Sequence, residues 1–273
     1  MTTMSTFLIV TGLVVITLIA GRVVLSIQFR KDVRTLFSQS GEISGKTFSY
    51  KALQDLPEPV QRYFRHVMKD GQPYISYIRL RHDGKFKTAP DRDWMNIEGE
   101  QYFTTQRPGF IWKGSTRMFT ARDMYVSDKG KLAVFLFSIF KIAGGQGEKY
   151  DQGELLRWLG ESVWFPTNLL PGENLQWTAI DNHSAQLNFK YNNHTLSYLV
   201  TFNEAGEISE LQTKRYMGDG NLETWIGKLS DYKAINGIVI PTTIEAIYRL
   251  KEKDYSYAKF NVKTIEYNIP ASF

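Results

Sequence analysis

Cysteine is absent from the chain, which excludes disulfides, thiolate metal ligands and cysteine nucleophiles together. Histidine is scarce: His66, His82, His183 and His194 show neither an HxxxH nor an HxH spacing, so no metal site is expected. There is no G-x-S-x-G turn for a serine nucleophile. Glycines in "AGGQGEKY", residues 143–150, lack the Gly-Lys-Ser/Thr of a phosphate loop and read as a flexible connection. No concentrated basic stripe accompanies the formal charge of +5, because 33 basic and 28 acidic residues are interspersed. That balance argues against a nucleic-acid partner. No cofactor is expected, and the sequence leaves the oligomeric state open.

Aromatic residues, by contrast, make up 14% of the 273 positions, with 17 Phe, 15 Tyr and 6 Trp. Such an apolar load fills a large core or lines a cavity. "FLIVTGLVVITLIAGRVVLSIQF", residues 7–29, is interrupted by one charge, Arg22. As a helix it extends about 34 Å, enough for a bilayer core, and Arg22 can snorkel to the headgroups. The absence of a preceding basic residue and of a cleavage site favours a retained anchor over a signal peptide. Arg30, Lys31 and Arg34 follow the span, so the positive-inside rule points the large domain to the cytoplasm.

Residues 1–29 are thus read as a transmembrane anchor, 30–55 as a basic tether and 56–273 as the main domain. Near 57–69 the sequence predicts a helix, with Val60, Phe64 and Val67 on one face and Gly71 at its end. From residue 74 the apolar period becomes two. Asp83-Gly84, Pro108-Gly109, Asp128–Gly130, Asn182-His183, Asn192-Asn193 and Asn236-Gly237 punctuate the strands, Asp83-Gly84 reading as a hairpin turn. About 11 or 12 strands with hairpin-length links predict an antiparallel meander. A sheet that wide must curl, so the expected fold is mainly β: a large curved antiparallel sheet or open barrel, with helices near 57–69 and 152–164 on its concave face.

The second helix, "GELLRWLGESVWFP", carries the candidate site. At 100° per residue Glu154, Arg157 and Glu161 form one stripe opposite Leu155, Leu156, Leu159 and Val163, and Trp158 and Trp164 border it. Two indoles beside a charged stripe are costly to hydrate. We therefore expect Arg157 and Glu161 to face protein, at the rim of a cavity with Trp158, Trp164, Glu154 and Trp112. A wet helix face is the simpler alternative. Catalysis by Glu154 and Glu161 is disfavoured, because two helical turns separate them and Arg157 between them would hold both ionised. No catalytic residue is assigned.

"LPEPVQRYFRH", "YIRLRHDGKFK", "PGFIWKG", "GELLRWLGESVWFPTNLL" and "DYKAINGIVIPTTIEAIYRL" together resemble a family of mostly bacterial, membrane-anchored proteins of unknown function, over most of residues 55–268. The order of elements, especially Trp225, Tyr232 and the "NGIVIP" turn, is also similar to LolA/LolB-like lipoprotein-carrier domains. That resemblance implies a curved sheet holding acyl chains against inner helices, and a single-pass bacterial inner-membrane protein whose domain is extracytoplasmic. The charge rule implies the opposite side.

Three functions are expected to compete: a membrane-anchored module binding a lipid or other hydrophobic ligand, a hydrolase using Glu161, Glu154 or Asp123, and an envelope interaction domain with a filled core. The state of the space between helix 152–164 and the sheet separates them.

Overall fold

Left-handed turn residues fix the strand pairing. Ser127 and Asp128 (φ 54° and 64°) and Asn236 and Gly237 (φ 53° and 81°) make the tight reversals that hairpins require. The computed structural model describes residues 2–251 and 253–273. Its helices are α1 (Thr2–Ser38), α2 (Glu58–Val67) and α3 (Glu148–Gly160). The first six strands are β1 (Tyr77–Phe86), β2 (Met95–Thr104), β3 (Gly109–Ser115), β4 (Phe119–Val126), β5 (Lys129–Leu136) and β6 (Phe140–Gln146). After α3 come β7 (Leu175–Ala179), β8 (Ser184–Tyr191), β9 (His194–Phe202), β10 (Ile208–Tyr216), β11 (Leu222–Ile235), β12 (Ile238–Arg249) and β13 (Asp254–Tyr267).

These strands form one antiparallel sheet in the order β6-β5-β4-β3-β2-β1-β13-β12-β11-β10-β9-β8-β7. Two meanders are joined where the first strand pairs with the last. The sheet stays open, with β6 and β7 as its edges. Those edges are consecutive in the chain, so the segment between them has to cross the sheet. α3 makes that crossing. It packs against β3–β6 on one half and β9 and β10 on the other, which requires the sheet to curl around it.

Alternation along the strands then assigns two faces. Ile78, Phe103 and Phe110 point inward to the main core, which also holds Leu155, Leu159 and Val163 beside α2's Val60, Phe64 and Val67. Their neighbours Tyr77, Tyr102 and Ile111 point outward and form a second cluster with Phe29, Val33, Leu36 and Phe37 of α1. The 3.6-residue period of that apolar row seats the C-terminal end of α1 on the convex face. Lys113 Nζ lies 4.3 Å from the Phe29 ring centre, and Arg122 pairs with Asp32.

Several expectations are corrected. Asp83-Gly84 is no hairpin turn: β1 runs through it, paired with Glu98 and Ile97 on one side and Asn261 and Phe260 on the other. A Cβ on Gly84 would lie 2.0 Å from the Lys259 carbonyl oxygen, so the glycine permits a close approach of β13. The first part of the expected tether, to Ser38, is helix continuous with the apolar span, because its Phe29–Phe37 face has a surface to cover. Residues 143–146 are not a flexible connection but belong to β6, and a Cβ on Gly145 would meet the Tyr150 ring. With β6, whose Ala-Gly-Gly composition gives a poor strand signal, the strands among the described residues number thirteen against the 11 or 12 expected.

Phe29 is 2% exposed and its ring centre is 5.9 Å from that of Tyr102. Phe29→Ala should cost about 3–5 kcal/mol in urea melts of a chain beginning at Gln28. An equal stability for the two chains would show that α1 is not docked in solution.

Candidate functional site

Crossing the concave face buries most of α3 beyond its first turn. Glu154 is buried, and the side chains of Arg157 and Glu161 are only 13% and 15% exposed. Each must find its partners inside the protein. Arg157 Nε donates to Glu161 Oε1 at 3.0 Å, four residues on along the helical turn, and Nη1 donates to Asp123 Oδ2 of β4 at 2.5 Å. Gln101 of β2 donates to the other Glu161 oxygen at 2.6 Å. The Arg157 guanidinium also lies 4.9 Å from the Trp112 ring centre and 5.1 Å from that of Phe110. On the far side Arg215 of β10 reaches Glu154 at 3.5 Å and the Gly153 carbonyl at 3.1 Å. The expected ion pair is therefore part of a larger network that ties α3 to β2, β4 and β10.

Two guanidiniums here face three carboxyls. Burial, reinforced by the neighbouring Asp123 carboxylate, holds Glu154 well above the ordinary carboxylate range, against the pull of Arg215 and Arg157. Glu154 Oε2 and Asp123 Oδ1 are both buried without a donor of their own. The raised pKa of Glu154 favours a proton there, which would serve as a donor between these carboxyls. Glu161 is also raised by burial, against the opposing pull of Arg157 and Gln101. The sequence expectation that Arg157 holds Glu154 and Glu161 ionised alike is corrected for Glu154, which sits at the Arg215 end beside a like charge.

This network forms one end of a cavity of about 630 Å³. The rest of its wall is largely apolar: Ile97, Trp112, Leu132 and Val134 on one side, Leu229, Ile244, Ala246 and Phe260 on the other. Of the six residues expected at a cavity rim, Glu154, Arg157, Glu161 and Trp112 line it. Trp158 and Trp164 lie behind it in the core, where their indole nitrogens donate to the carbonyls of Thr104 (2.9 Å) and Pro241 (3.0 Å). Trp164 falls in a 3-10 turn, Glu161–Trp164, to which a 100° wheel does not apply. Asp123, expected only as a catalytic alternative, is a member of the network.

Arg215, Gln101 and His82 were not expected. They come from strands distant in sequence, and a helical wheel reports only on its own helix. His82 accepts a hydrogen bond from Trp112 Nε1 at 2.8 Å and stacks on Phe260 with ring centres 4.2 Å apart. Burial lowers its pKa to about 4, against the effect of its contact with the Asp83 carbonyl. A histidine depressed in the folded state stabilises above its unfolded value of about 6.5, and that contribution is lost as pH falls toward 4. His82→Gln keeps an acceptor but cannot titrate. The stability advantage of the unsubstituted chain over this variant should shrink by about 3 kcal/mol between pH 6.5 and 4. A constant difference in urea melts across that range would contradict a neutral His82.

No curated protein matches the chain. Among solved structures, it is similar to a LolA superfamily protein from Nitrosomonas europaea at 12% identity and a TM-score of 0.43, over 77% of this chain and 91% of that one. It is also similar to an outer membrane lipoprotein-sorting protein domain from Vibrio parahaemolyticus at 9% identity and a TM-score of 0.41, again over 77% and 91%. Residues 46–260, which contain the whole charged network and most of the sheet, match DUF6544, and the chain belongs to that family of unknown function.

Proposed function

We propose that the protein is a membrane-anchored binding module that takes the apolar chain of a lipid or similar amphipathic molecule into the concave cavity. The observation that carries this reading is the cavity itself: a space of about 630 Å³ with largely apolar walls, closed at one end by a buried guanidinium–carboxyl network. Such a volume is in the range of small-molecule sites. Arg157, Glu154 and Glu161 are among the residues lining the cavity, so polar side chains are present at its wall beside the apolar ones. α1 is long and apolar enough to cross a bilayer. In this reading it is the anchor.

Lipid extraction and mass spectrometry of a purified chain beginning at Gln28, which keeps Phe29, test the proposal. A bound acyl lipid is expected, and Ala246→Trp, which fills the cavity wall, should abolish its recovery without unfolding the domain. Recovery of no lipid from either chain would reject the reading.

A second reading, hydrolysis by Asp123 and Glu154, draws on the raised pKa of the buried Glu154 carboxyl beside Asp123. The two readings differ for Glu154→Gln. A neutral amide replaces a neutral acid, so lipid should still co-purify if the role of Glu154 is to complete the network. Consumption of a bound ester by the unsubstituted chain, stopped by Glu154→Gln, would favour the enzyme.

A further inference from the structure

We propose that one rim of the sheet, carrying the mouth of the cavity, is seated in the same bilayer that α1 crosses, with the tip of the β5–β6 hairpin inside the hydrocarbon. This rests on the anchor reading of α1 and deepens it by naming the surface through which the cavity communicates.

The course of α1 carries the argument. Its contacts move steadily along the strands: Phe37 meets Tyr77 and Tyr102, Phe29 approaches Lys113 and Arg122, and Gly21 meets the turn between β5 and β6. A Cβ on Gly21 would lie 2.6 Å from Ile139 Cγ1 and 2.8 Å from the Ser138 carbonyl oxygen. The helix therefore leaves the domain past the rim that bears the β3–β4 and β5–β6 turns. Antiparallel pairing puts the β1–β2 and β10–β11 connections on that rim as well. The cavity opens there, since Thr88, Met95, Thr116, Phe119, Ile142 and Met217 line it.

The depth follows from the helix rise. Burial in the domain begins at Phe29, and the residues before it are largely exposed and apolar. A span of residues 7–27 measures about 31 Å, which matches a bilayer core of about 30 Å. Gly21 is six residues inside its end, so the hairpin turn beside it reaches about 9 Å below the hydrocarbon boundary.

The surface chemistry agrees. Outside α1 the large hydrophobics exposed among the described residues are Met118, Phe137, Phe140, Ile142, Leu222, Ile43, Ile180 and Ile269. The first five belong to this rim, and Phe140 at 61% is the most exposed of all eight. Within the turn itself two backbone N–H groups are satisfied internally, as a hydrocarbon setting requires. At the tip, Phe137 N donates to the Met118 carbonyl at 2.7 Å and Ile139 N to that of Leu136 at 3.1 Å. Arg117 and Lys141, on the flanks, have stems long enough to return their charges to the headgroups. A lipid could then enter the cavity sideways from the leaflet without crossing water.

The absence of cysteine makes the test direct. Full-length Phe140→Cys and Ile180→Cys, the second on the opposite rim, are labelled with an environment-sensitive fluorophore. Each is reconstituted in phosphatidylcholine–phosphatidylglycerol vesicles with or without nitroxide-labelled acyl chains. The expected result is blue-shifted emission at position 140, quenched by acyl nitroxide, and water-like emission at 180. Water-like emission at 140, quenched by aqueous iodide, would overturn the seating. So would a blue shift that the lipid nitroxide leaves unquenched, since a second copy or another protein would then cover the tip. Lipid recovered by the chain beginning at Gln28 reports on the binding reading separately. A wet tip with recovered lipid rejects the seating alone, and a seated tip with no recovered lipid rejects the binding alone.

Discussion

Everything in the concavity depends on a single connection. The two edge strands of the open sheet are neighbours in the chain, so the segment between them crosses the full width of the inner face. A helix in that place is buried along most of its length, and the charges it carries inside have to be compensated there. Arg157 is the centre of that compensation, touching Glu161, Asp123 and two aromatic rings. The start of α3 is fixed by the same means: Asp151 accepts from Gly130 N at 2.7 Å and from Lys129 at 2.9 Å, tying it to the β4–β5 turn. At Gly160 a Cβ would stand 2.9 Å from the Tyr198 hydroxyl, so the far end passes close under β9.

The convex face is organised by the opposite logic. There α1 contributes a one-sided apolar row, and the sheet answers with Tyr77, Tyr102 and Ile111. Asp32 and Arg122 close the edge of that contact with an ion pair. Because helix and sheet are packed together from Phe29 to Phe37, the apolar span and the domain form one continuous unit. A flexible tether would leave the cavity mouth free to point anywhere, whereas this joint fixes its direction relative to the apolar span.

The sequence made the architecture legible where the signals are local. Alternating apolar residues and short turn signals such as Asn192-Asn193 and Asn236-Gly237 announce most strands, and the apolar row of α2 is plain. Asp83-Gly84 misled because a turn dipeptide also suits a strand whose partner comes unusually close. The stretch through Phe37 looked like a tether because Arg30, Lys31 and Arg34 dominate its composition. Its buried face, Phe29, Val33 and Leu36, stands out only once a surface is there to receive it. Within the site, the stripe on α3 could be read from a wheel. Its partners Gln101, Asp123 and Arg215 lie on three separate strands, and their convergence follows from the curl of the sheet. Trp158 and Trp164 looked like rim residues because indoles are large and amphipathic, yet both tryptophans satisfy their N–H groups on backbone carbonyls and belong to the core.

A network of this kind is a poor way to stabilise a fold. Desolvating charges costs several kcal/mol each, and well-packed apolar residues of similar volume often do as well or better. The helix crossing could be made with leucine and methionine at the same positions. What the charges add is polarity at one end of a cavity whose remaining walls are apolar. In the reading proposed above, an amphipathic occupant would lie with its chain along the apolar wall and its polar end toward the network. A purely apolar pocket would leave that polar end buried without a partner. A purely polar one would give the chain nothing to pack against. The combination supports a site that distinguishes a molecule with both parts from one with either alone.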